Sequence, residues 1–334
     1  MKYKSLFIVV IFACLSTSLI VFSGESNSGA TDGLKLCYNV VIPSLFPFTV
    51  FSLIIFESGF FERLNINKNF EELFIFFLSI IGGFPVGAKI INNAYKRKNL
   101  TKKNAELMLG YCVSSGPSFI ILSLGSQILN NKLIGYILFI SNLTANLIIM
   151  ITLSKFKEIN TEMIKSKSGS KPFSEIFVNS TYDATLSIIS ICAYVTLFST
   201  IISVINKMFG ENAIKKSLLP LLEITNGVTI TDNIYYIAFL MGFGGFCVHI
   251  QILTMCSDLK PNYLKFFAFR TLHGTLLIII TKLFLFFYKI DVSALSDNSK
   301  LTYIFSENST FFGICLITLS IAFILSVNRK NNII

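Results

Sequence analysis

Long apolar runs alternate with short polar segments along the whole chain. The runs lie near residues 5–23, 36–57, 72–94, 105–126, 132–154, 183–206, 234–256, 263–288 and 311–328. A helix needs about 20 residues to cross a bilayer core, so each run is long enough to cross it or to enter it deeply. None of them alternates with the two-residue period of ten-residue barrel strands, and in hydrocarbon every backbone amide has to be satisfied internally. The pattern predicts an all-α polytopic membrane protein with nine hydrophobic elements.

The polar segments set the expected topology. Lys96, Arg97, Lys98, Lys102 and Lys103 form one basic cluster, and Lys155, Lys157, Lys165, Lys167 and Lys171 form another. Positive loops stay on the cytoplasmic side. With the N-terminus inside, 5–23 exits and 36–57 returns, so a full crossing by 72–94 would put the first cluster outside. A re-entrant hairpin removes the conflict. Its turn falls at Gly82, Gly83, Phe84 and Pro85, because Gly permits backbone angles that other residues avoid and Pro cannot continue the hydrogen-bond ladder.

The second half carries the same signals. Thr49, Phe51, Ser52, Ile54 and Ile55 recur 147 positions later as Thr196, Phe198, Ser199, Ile201 and Ile202; Gly82, Gly83, Phe84, Val86 and Ile90 recur 162 positions later as Gly244, Gly245, Phe246, Val248 and Ile252. The order is kept, as in a duplication. Counted forward, the second copy runs opposite to the first and its Gly244 segment enters from outside, so the expected architecture is an inverted repeat with two re-entrant or broken-helix hairpins. The corresponding division is an N-terminal span (1–30), a first repeat half (31–154), a basic cytoplasmic linker (155–181) and a second repeat half (182–334). That count leaves Arg329 and Lys330 outside, against the charge rule.

Composition agrees with a bilayer environment: 53% of the 334 residues are hydrophobic and 14% are charged, and mean hydropathy is +0.69. The net charge of +10 does not point to nucleic acid, because the cations lie in loops and form no single basic face. Seven cysteines, mostly within apolar runs and without CxxC spacing, support neither a disulfide framework nor a zinc site. Residues 1–22 fit a signal peptide or a first span; the run continues past Cys14, which favours an uncleaved span. There is no HExxH, no GxSxG, no phosphate-binding glycine loop and no carboxylate pair within one span, so neither catalysis nor a cofactor is expected.

Candidate solute contacts are polar or backbone-opening residues within the apolar runs. Gly82, Gly83 and Pro85 mark the first turn, and Gly244 and Gly245 the second. Ser114, Ser115 and Gly116, before Pro117, interrupt the next run, either as a solute site or as a simple kink. Asn226, His249 and Gln251 put hydrogen-bonding groups in apolar surroundings. Lys89 either snorkels to the interface or faces a ligand. Arg270 shares a helix face with His273 and is either interfacial or functional. Glu57, Asp183, Glu223 and Asp258 fall near span ends, where none reads as a proton relay.

The strings Ile42-Pro-Ser-Leu-Phe-Pro-Phe48, Gly82-Gly-Phe-Pro-Val-Gly-Ala-Lys89, Ser115-Gly-Pro117, Leu222-Glu-Ile-Thr-Asn-Gly227 and the stretch from Gly242 to Gln251 resemble the sporulation integral membrane protein YlbJ family of endospore-forming Firmicutes. The resemblance covers roughly residues 5–325. It implies grouping with nucleoside recognition (Gate) domain proteins, an arrangement similar to concentrative nucleoside transporters, and a role in sporulation associated with the spore cortex. The expectation is a multi-pass protein of the mother-cell or forespore membrane that moves a small polar or nucleoside-like solute. The competing expectation is a non-transporting scaffold that recruits cortex or engulfment machinery. Expected partners are lipid, the solute, and either another copy of the chain or other sporulation membrane proteins, but not nucleic acid.

Overall fold

The computed structural model describes residues 2–59, 68–158, 172–209, 217–231 and 233–287, which are helical with short connections and contain no strand. The helices are α1 (Lys2–Val21), α2 (Ser23–Leu36), α3 (Ile42–Glu57), α4 (Lys68–Gly82), α5 (Phe84–Lys96), α6 (Lys102–Cys112), α7 (Ser118–Ile128), α8 (Lys132–Ser154), α9 (Phe173–Phe209), α10 (Ile224–Ile230), α11 (Ile234–Phe243), α12 (Gly245–Met255) and α13 (Tyr263–Phe287). A π-helical turn at Cys37–Val41 joins α2 to α3, and α7 is itself π-helical. Five stretches are long and apolar enough to cross a membrane: Ser23–Glu57, Lys132–Ser154, Phe173–Phe209, Ile234–Met255 and Tyr263–Phe287. The apolar run 311–328 lies outside the described residues.

One end of the bundle is stitched together by charge. Arg97 pairs with Glu57, Lys157 with Glu72, Lys96 with Asp258 (3.9 Å), Lys103 with Glu158 (3.5 Å) and Lys265 with Glu106 (3.1 Å). These contacts gather at one end the C-termini of α3, α5, α8 and α12 and the N-termini of α4, α6 and α13. This is the basic end. At the far end Asn131 caps α8 and Asn233 caps α11, through bonds from Ile134 N (3.2 Å) and Tyr235 N (3.0 Å).

The basic end fixes the path of each broken element. Asn99, just after α5, donates to Glu71 in the first turn of α4 at 3.3 Å, so segment 68–96 leaves and returns on the same side, as the charge pattern requires. Segment 234–256 is also broken, but it crosses instead of doubling back. α11 runs antiparallel to α13, with Phe243 at Arg270 and Phe239 at Gly274. α12 then reaches the basic end, where Asn92 donates to Asp258 at 2.9 Å. The re-entrant piece of the second half comes earlier. Ser217 lies beside Tyr236 in the first turn of α11, the chain descends until Leu222 accepts from Cys247 N (2.9 Å), and α10 leads back towards Asn233.

Two further expectations change. Residues 24–35 are helix and not a loop between spans, because Gly29 and Gly33 let α2 lie directly against α9: a Cβ at Gly29 would meet Ser203 Cβ at 2.6 Å, and one at Gly33 would meet Thr196 Cα at 2.8 Å. The boundary expected near residue 30 therefore falls inside a helix. Likewise residues 173–181, expected in the linker, are the first turns of α9; Lys165, Lys167 and Lys171 lie outside the described residues.

Candidate functional site

Four interruptions of helix meet inside the bundle. Gly83 has φ +79 and ψ −170, a region essentially closed to residues with a Cβ, and it separates α4 from α5. Its backbone touches the break between α6 and α7: a Cβ on Gly83 would stand 3.2 Å from Gly116 N. The next side chain, Phe84, puts its ring 3.4 Å from the Cβ position of Gly244, where φ is +88. Gly245, with φ +73, sits against the hairpin of α10, its Cβ position 3.3 Å from Ile224 N and from the Leu221 carbonyl oxygen.

Arg270 joins three of these interruptions. It is fully buried in α13, which corrects the interfacial reading. Its guanidinium donates to the Val113 carbonyl at the end of α6 and to the Gly242 and Phe243 carbonyls at the end of α11. The Phe84 ring lies 5.5 Å from its Cζ, a cation–π distance. Both carbonyl sets are helix C-termini, where the last carbonyls lack intrahelical partners and carry partial negative charge. The cation therefore satisfies acceptors that the breaks expose.

A hydrogen-bonding cluster adjoins the α6–α7 break. Asn142 of α8 donates to Ser114 Oγ (2.8 Å) and to the Ser115 carbonyl (3.2 Å), and Asn146 donates to Ser114 Oγ (2.9 Å). Ser115 Oγ, Ser118 Oγ and Asn146 Oδ1 are buried and have no hydrogen-bond partner among the described residues. On the second hairpin, Glu223 is 1% exposed and caps α10, accepting from Thr225 N (2.8 Å), Asn226 N (2.6 Å) and Asn226 Nδ2 (3.0 Å). It sits beside Gly245, not at a span end as its sequence position suggested.

Of the residues singled out from sequence, the fold brings together Gly83, Ser114, Ser115, Gly116, Gly244, Gly245 and Arg270, with Asn226 next to them. Gly82 and Pro85 shape the first turn. Lys89 and Gln251 stand apart: Lys89 reaches α9 and pairs with Asp183 at 3.2 Å, and Gln251 donates to Cys247 Sγ at 3.1 Å beside a small cavity between α9 and α12, whereas His249, within a shell of Phe rings, donates from Nε2 at 3.0 Å to the Phe243 carbonyl that Arg270 also meets. Asn142 and Asn146 escaped the sequence reading, although two Asn four residues apart in an apolar run share one helix face.

The chain is 21% identical, over an alignment of 329 positions, to the sporulation integral membrane protein YlbJ of Bacillus subtilis (strain 168), and 82% of this chain and 81% of that protein are covered. This chain is a homologue of YlbJ. No protein-family model and no solved structure matches it. The YlbJ relative described here is thus an all-helical, multi-pass membrane protein whose helix breaks converge on one buried polar centre.

Proposed function

We propose that this YlbJ relative is a permease-like carrier of a small, uncharged polar solute that serves sporulation. The observation that carries the reading is the convergence of four helix interruptions on buried polar atoms without partners among the described residues, Ser115 Oγ, Ser118 Oγ and Asn146 Oδ1. Broken helices at membrane depth are tolerated where they line a protein-enclosed site, and pairs of them in two halves of opposite sense are characteristic of carriers. The charged groups at the centre are already engaged: Arg270 by three carbonyls and Glu223 by amides. What is left to a solute is neutral hydroxyl and amide chemistry, which suits a nucleoside, a sugar or a similar hydrogen-bonding molecule better than an ion. The role in sporulation follows from the relative's name alone.

The test is uptake by proteoliposomes carrying the full chain, screened against radiolabelled nucleosides, sugars and polar amino acids. At least one compound should accumulate, and Asn142→Ala/Asn146→Ala should cut that uptake at least tenfold while the protein keeps its helicity by circular dichroism. If no compound is taken up, and if spore formation survives Asn142→Ala/Asn146→Ala but is lost when residues 159–171 are deleted, the scaffold role replaces transport.

A further inference from the structure

A carboxyl group is buried inside the second hairpin without a cation beside it. Glu223 stands where the hairpin 217–231 turns against Gly245, whose Cβ position is 3.3 Å from Ile224 N. The 11 residues of α12, about 16 Å of helix, separate that contact from the basic end. The partners of Glu223 are all donors: Thr225 N reaches Oε1 at 2.8 Å, and Asn226 N and Nδ2 reach Oε2 at 2.6 and 3.0 Å. This shell fits the ionised form, because a neutral carboxyl turns one oxygen into a donor and the atoms arrayed around it are themselves N–H groups.

The elements packed against the hairpin supply no counter-charge among the described residues. α12 presents Cys247 and the π-helical turn presents Cys37, both within range of the Glu223 charge, while His249 of α12 turns into its cage of Phe rings. α9 contributes Ser199, which accepts from Asn226 Nδ2. α11 contributes Tyr236, whose hydroxyl donates to the Ser217 carbonyl, and α7 has no titratable side chain. The negative charge is therefore held out of water by hydrogen bonds from one short stretch of chain. An ionised group that loses its partners in such surroundings takes up a proton.

We infer that Glu223 is a proton-binding site that controls the second hairpin: the ionised carboxylate holds 217–231 against Gly245, and protonation breaks the cap on α10 and releases it. The proton adds to one carboxylate oxygen, the N–H bond to that oxygen is lost, and Asn226, which ties the hairpin to Ser199 of α9, loses the group that orients its amide. The held state is the one that fits the anion, so linkage makes acidification favour release. The inference concerns the hairpin alone. It does not rest on the carrier reading, and no solute enters its test.

The test compares backbone hydrogen exchange of the full chain in lipid nanodiscs at pH 8 and pH 4.5, corrected for the intrinsic effect of pH on exchange. Protection of 224–230 should fall at least tenfold at the lower pH, while 138–149 of α8, which carries no titratable side chain, keeps its protection. Glu223→Gln, which cannot take up the proton, should show low protection at both pH values. Where Glu223→Gln does not fold, Glu223→Asp, which still titrates but on a shorter stem, should move the midpoint of the wild-type transition by at least one pH unit. Wild-type protection that is equal at the two pH values, or higher in acid, overturns the proposal. So does a pH response that persists in Glu223→Gln or a midpoint unmoved in Glu223→Asp.

Discussion

At the scale of single residues, the centre is organised by a cation that serves the backbone. Among the described residues Arg270 meets no carboxylate but the carbonyls of two helix C-termini, and its planar fork of donors suits several acceptors at once. Arg270→Lys keeps the charge but cannot reach the Val113, Gly242 and Phe243 carbonyls together. Leaving buried acceptors unmet costs about 1–3 kcal/mol, so thermal unfolding of the purified variant should shift clearly downwards, and an unchanged melting temperature would remove Arg270 from its role as a pin. Sequence reasoning chose Arg270 but not its job, because main-chain carbonyls at a helix break have no sequence signature. Glu223 was placed at a span end for a related reason: hydropathy does not distinguish a re-entrant tip from a loop. Asn142 and Asn146 were legible in principle, as two amides one turn apart in an apolar run.

At the scale of elements, glycine separates breaks from unbroken helices. The Gly-Gly-Phe strings at Gly82 and Gly244 correctly marked two interruptions, since positive φ at Gly83, Gly244 and Gly245 excludes most other residues. They did not reveal what each interrupted element does. The first belongs to a hairpin that returns to its own side and the second to a helix that crosses, so matching them paired unlike parts. In chain order the element types are α3, hairpin, broken α6–α7 and α8, then α9, hairpin, broken α11–α12 and α13. Gly83→Ala forces a Cβ into a disallowed conformation and to within 3.2 Å of Gly116 N, at a cost of about 1–3 kcal/mol. Gly24→Ala, with nothing within 4 Å of its Cβ position, is the matched control. Denaturation in detergent should show a lower midpoint for the first and no lowering for the second, since Ala is favoured over Gly in a helix. Polar composition made 24–35 read as a loop, and only the small residues facing it from α9 explain why it is a helix.

At the scale of the whole molecule, the revised path of 234–256 changes which side of the membrane several loops occupy. The basic end gathers Lys96, Arg97, Lys103, Lys157 and Lys265, and positive charge of this kind faces the cytoplasm. Had the Gly244 segment doubled back, Lys260 would face the other side. Because it crosses, a membrane-impermeant thiol reagent should label Lys260→Cys and Lys102→Cys from the cytoplasmic side, and Lys132→Cys from the opposite side. The same path resolves the conflict at the C-terminus. α13 starts at the basic end and runs away from it for 25 residues; if the apolar run 311–328, which lies outside the described residues, crosses once as its sequence predicts, Arg329 and Lys330 fall on the cytoplasmic side as the charge rule requires. A green fluorescent protein fused after Ile334 should therefore fluoresce in cells, and alkaline phosphatase fused at the same point should be inactive. The reverse pair of results would mean that the number of crossings after Gly244 differs by one, and with it the direction assigned to α11–α12.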